Sequence, residues 1–108
     1  MNDKVVYKYQ SPLLYGEVAF NHMCYKFLIP KGKILDIGIQ DNQITVWVEL
    51  DVENKDAEPT YNFVLHLVGT GAFFHKPTNM PYFKTLFHKN LVWHIYISEI
   101  GSGVEDNL

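Results

Sequence analysis

Arginine is absent from this chain, and all nine of its basic side chains are lysine. Arginine supplies the planar fork that grips phosphates and guanine edges two bonds at a time. Its absence, together with a net charge of −3, argues against a sequence-reading nucleic-acid-binding protein. Lysines and main-chain N–H groups remain available to hold a simple anion. Cysteine is almost absent too. Cys24 stands alone, which excludes an internal disulfide and a cysteine-built zinc cluster and fits a reducing compartment. No stretch approaches the roughly 18 apolar residues of a membrane span, and Met1 to Tyr9 holds no apolar run of signal-peptide length. The expectation is a soluble intracellular protein with no membrane partner. Helical 3.6-residue periodicity is missing throughout, and Pro59 through Ser98 contains no acidic residue.

At 108 residues, the chain has the length of one domain. Its composition is 47% hydrophobic and 15% aromatic, more ring area than so small an interior holds. Some rings must therefore stay exposed or lie in an interface, which predicts a homo-oligomer, a dimer. The apolar residues recur with period two, the mark of half-buried strands. Val5 to Tyr9 reads as a first strand, and an irregular one is expected near Val18 to Phe20. His22 to Ile29 follows, with Met23, Tyr25, Phe27 and Ile29 on one face. Pro30 to Asp51 reads as a hairpin turning at Asp41-Asn42, residues that tolerate left-handed backbone. Within it Leu35, Ile37, Val46 and Val48 are expected in the core, joined by Leu65 and Ile95. Trp47 falls on the polar face, where either a second layer covers it, the preferred reading, or it forms a surface platform for a partner. Val52 to Pro59 is an acidic loop. Tyr61 to Val68 is apolar on both faces, as a central strand should be. Tyr82 to Phe87 and Leu91 to Ile97 form a closing hairpin. The fold class this predicts is all-β: a single-domain antiparallel β-sandwich or partly open barrel of about six to eight strands. Residues 1–100 make the domain, and 101–108 a flexible acidic tail.

Several short motifs occur in a familiar order: Tyr7-Lys8-Tyr9, the run from Pro30 to Gln40 (P-K-G-K-I-L-D-I-G-I-Q), Trp47, Val68-Gly-Thr-Gly71, and Leu91 to Tyr96. Over residues 4 to 97 the chain resembles a small family of phage and prophage proteins known as a domain of unknown function. The resemblance implies a viral or prophage source and a place in the cytoplasm of a bacterial host. It carries over no catalytic residue. Phe73 to Met80 is more aromatic and richer in proline than the resemblance leads one to expect.

Chemistry-bearing motifs are sparse. His22, His66, His75, His88 and His94 show no helical metal-site spacing, and those in mid-strand read as hydrogen-bonded structural residues, so no metal site and no cofactor are expected. No serine sits in a nucleophile elbow, Cys24 has no identifiable activating base, and no catalytic residue is assigned. A non-enzymatic protein is the expectation. Gly69-Thr70-Gly71 either turns its N–H groups toward an anion or simply ends the strand where glycine permits positive φ; the second reading is preferred. Next come Phe73, Phe74, His75 and Lys76, then Tyr82 and Lys84. Rings interleaved with lysines on a connection suit a protein contact or a small anion such as a nucleotide, unless they fold back to cap the sandwich, a reading that fits Phe73 or Phe74 and Phe83 but not all of the rings. Gly69 to Lys84 is thus the expected binding segment, and its partner a host protein or a small anionic ligand. A host-directed interaction, including inhibition of a defence system, leads. The alternatives are a nucleotide sponge or a minor virion or assembly component. The acidic loop from Glu49 to Glu58 is the competing surface.

Overall fold

The computed structural model describes residues 3–11, 16–19, 21–76 and 79–99, with the backbone alone for 16–19. Eight strands lie in this range: β1 (Lys4–Gln10), β2 (Gly16–Ala19), β3 (His22–Ile29), β4 (Lys33–Gln40), β5 (Gln43–Asp51), β6 (Tyr61–Gly69), β7 (Tyr82–His88) and β8 (Leu91–Glu99). The predicted all-β sandwich is what forms. One sheet has the order β1-β5-β4. The other has four long strands, β3-β6-β8-β7, extended by the short β2 beside β3. All pairings are antiparallel. Among the described residues the one helical element is a 3-10 turn at Val52–Asn54, and no helix is long and apolar enough to cross a membrane. The expected acidic tail, 101–108, lies outside the described residues.

Two hairpins fix the register by the same device. Asp41 and Asn42 have φ of 55° and 62°, and Lys89 and Asn90 have 51° and 64°. Two consecutive left-handed residues define the type I′ turn, whose twist matches that of the flanking strands. Alternation then directs one side of each strand inward. The core joins Ile37, Val46, Val48 and Leu50 of the first sheet to Phe27, Phe63, Leu65 and Ile95 of the second. Ile37, Val46, Val48, Leu65 and Ile95 are completely buried, as expected.

Leu35 is not. It is 42% exposed, because the register slips between Ile34, opposite Val48, and Asp36, opposite Trp47. An extra residue in a strand shifts the inward phase by one, so Ile34 packs against the core in its place. Trp47 also departs from expectation: its half-buried ring lies over Gly38 on the neighbouring strand. A side chain at Gly38 would begin 3.4 Å from that ring. The tryptophan is thus covered locally, by a gap in its own sheet.

Candidate functional site

Strand order explains why the segment after β6 is exceptional. β8 lies between β6 and β7 and is antiparallel to both, so β6 and β7 run parallel. Parallel strands need a long crossover, and residues 70–81 must travel back along β8. The described residues among them, 70–76 and 79–81, lie over the outer face of the sheet, away from the main core, where Phe74 meets His22 and Tyr96. Beneath them His22, Cys24, Val64 and Val68 are buried, joined by Met80 of the crossover itself, a second small packed region that the inter-sheet cluster does not include.

The crossover begins with a turn. The Gly69 N–H donates to the Asn21 carbonyl at 2.8 Å, and the Ala72 N–H donates to the Gly69 carbonyl at 3.0 Å. Gly71 sits at φ +90°, backbone that side chains other than glycine rarely adopt. These contacts favour the strand-ending reading of Gly69-Thr70-Gly71. Phe74 then folds down onto the sheet, its ring 5.1 Å from Tyr96 and 5.9 Å, edge-on, from His22. Phe73, its neighbour, is 95% exposed. His75 is also exposed, and the Lys76 ammonium stands 6.0 Å above the Tyr96 ring. Tyr82 meets Tyr96 edge-on at 5.6 Å, and its hydroxyl hydrogen-bonds that of Thr85 at 2.6 Å. The outer face therefore gathers Thr70, Phe74, Lys76 and Tyr82 of the expected segment, while Phe73 and His75 stand out in solvent. Lys84 leaves this group: it donates to Asp36 of β4 at 2.8 Å and links the two sheets.

The same face carries two polar groupings that sequence reasoning missed. One is a chain of hydrogen bonds. The Thr70 hydroxyl meets His94 Nε2 at 2.9 Å, His94 Nδ1 meets the Thr85 hydroxyl at 3.0 Å, and Thr85 meets Tyr82. The other is a triad. His66 Nδ1 lies 3.0 Å from His22 Nε2 and 3.3 Å from Cys24 Sγ, and Sγ lies 4.0 Å from His22 Nε2. Desolvation by burial lowers the pKa of both imidazoles, with His22 lowering His66 further, and raises that of the Cys24 thiol. Burial thus favours the uncharged form of each of the three groups. Such N and S donors are the side-chain types that could hold a metal. The signal available in the sequence was parity: His22, Cys24, His66 and His94 all occupy non-core positions of their strands, but only strand order makes them neighbours.

A further feature lies where the sandwich opens between its two type I′ turns. A pocket of about 330 Å³ is lined by Met23, Ile39, Ile44 and Trp93, with His88 and Lys89 also in its wall. The competing acidic loop is solvated: Glu53, Asp56 and Glu58 are exposed, and Lys55 pairs with Asp56 at 2.8 Å.

Fold and site together define a small two-sheet β-sandwich with a crossover laid over its outer face. The chain belongs to the family described as Domain of unknown function (DUF7352), which matches residues 2–102. No curated protein and no solved structure matches it.

Proposed function

We propose that the chain is a non-enzymatic interaction protein that binds a macromolecular partner through the segment of residues 69–84, the crossover together with the strand ends that flank it. The observation that carries this is Phe73, 95% exposed beside an anchored Phe74. A ring held out on a connection fixed by its neighbour is pre-organised to bury in a partner pocket, and aromatic anchors of this kind dominate binding energies. Lys76, in a stretch without acidic residues, favours a partner patch that is acidic. The resemblance to phage and prophage proteins supports the further reading that this partner is a host protein in the bacterial cytoplasm, such as a component of a defence system, blocked by occupation of its surface. Partners captured on the immobilised chain should be lost when Phe73 is changed to Asp; retention of all of them would refute the reading.

The chain is also proposed to dimerise. The motive is its remaining exposed apolar surface, Phe87 at 76% and Leu91 at 54%, and light scattering at micromolar concentration checks it. The pocket at the open end supports a second reading, a binder of a small anionic ligand with an apolar body, held near Lys89. A thermal-shift screen against nucleotides and apolar carboxylates separates the two, because a ligand that binds only the folded state raises apparent stability.

A further inference from the structure

We propose that His22, Cys24 and His66 bind one divalent transition-metal ion of the zinc class, through His22 Nε2, Cys24 Sγ and His66 Nδ1. The sheet itself makes the site. His22 and Cys24 alternate onto the same face of β3, and His66 of β6 stands directly opposite Cys24 in register. The donor atoms form a triangle with edges of 3.0, 3.3 and 4.0 Å. A tetrahedral zinc with bonds of about 2.05 Å to nitrogen and about 2.3 Å to sulfur requires edges of about 3.3 Å between nitrogens and about 3.5 Å from nitrogen to sulfur. The triangle meets these values with shifts of a few tenths of an ångström, within the reach of side-chain torsions. Two imidazoles with a thiolate select a borderline-soft ion over magnesium or calcium, which prefer oxygen.

The surroundings agree. His22 and Cys24 are only 5% and 1% exposed, so little water competes for their donor atoms. On uptake the Cys24 S–H bond breaks, a sulfur–metal bond forms, and the proton passes to solvent. Three protein ligands leave a fourth position for water or an external donor. The ion would tie β3 to β6 beneath Phe74, whose ring meets His22 edge-on. The same short distances also suit a metal-free hydrogen-bonded triad, so the test must separate the two.

The 108-residue chain, stripped with chelator, is titrated with Co(II) and then with Zn(II) as competitor. The expected result is one ion per chain, a thiolate-to-cobalt charge-transfer band, displacement of cobalt by zinc, and a rise in melting temperature with zinc. Cys24→Ser should abolish the charge-transfer band, and His66→Ala should weaken binding by more than about tenfold. His88→Ala, outside the triad, should change neither. Circular dichroism establishes whether each variant is folded. Should the triad variants fail to fold, the wild-type titration decides: absence of both the charge-transfer band and the zinc-dependent rise overturns the proposal. An unchanged cobalt spectrum in folded Cys24→Ser overturns it equally.

Discussion

Adjacent rings with opposite fates give the sharpest test of how the crossover is built. Phe73 is 95% exposed, so about a twentieth of a ring of roughly 200 Å² is covered. That is ~10 Å², or ~0.25 kcal/mol at ~25 cal/mol per Å². Phe74 makes two ring contacts, with Tyr96 at 5.1 Å and His22 at 5.9 Å, each contributing about 0.5–1.5 kcal/mol beyond the area buried. Phe74→Ala should therefore lose at least about 2 kcal/mol and Phe73→Ala less than about 0.5 kcal/mol. For a domain of this size those losses correspond to falls in melting temperature of roughly 8 °C or more and under about 4 °C. Urea denaturation of both variants, with m-values compared to the parent, measures the difference directly. Equal losses, or a larger loss at Phe73, would refute the reading in which one ring clamps the crossover and the other is presented.

Leu65, completely buried on β6 between Tyr25 and Ile97, should lose about 2–5 kcal/mol on truncation to alanine; a loss below about 0.5 kcal/mol in urea denaturation would mean the core is elsewhere. The bridge from Lys84 to Asp36 should contribute little, because its side chains are 36% and 56% exposed, and Asp36→Asn should lose less than about 1 kcal/mol at neutral pH and low salt. The hydrogen bond from Lys84 holds Asp36 below its ordinary pKa of 3.8. A depressed carboxyl stabilises the fold above 3.8 and loses that contribution as pH falls through its lower folded value. The difference between parent and variant should accordingly shrink to nothing in strong acid, and persistence there would show that packing, not charge, is responsible.

The fold was legible because its signals are local. Alternation marked the long strands, and Asp41-Asn42 marked a turn that demands left-handed backbone. β6, apolar on both faces, lies between β3 and β8 as a central strand should. Leu35 misled because a bulge leaves no trace in alternation: Ile34, Leu35 and Ile37 offer two phases, and only pairing with β5 selects one. The site was half legible. Phe74, Lys76 and Tyr82 stood out by composition, and they do meet over Tyr96. Lys84 looked equivalent to Lys76 in the sequence, but a bulge between Tyr82 and Lys84 turns it toward Asp36 instead. The His22–Cys24–His66 triad was invisible because 42 residues separate Cys24 from His66, and strand order is a long-range property that no local spacing encodes.

Engagement of the partner by the crossover, rather than by the acidic loop, is tested by affinity for one captured partner, measured with three proteins in parallel by titration calorimetry: the parent chain, Phe73→Asp with Lys76→Glu, and Glu53→Lys with Glu58→Lys. All four positions are exposed, so each double variant should keep the parent's melting temperature within a few degrees. The crossover variant should lose affinity by about a hundredfold or more, as expected for a hot-spot ring worth ~2–4 kcal/mol, while the acidic-loop variant should bind within a few fold of the parent. Loss of binding in the acidic-loop variant alone would contradict it.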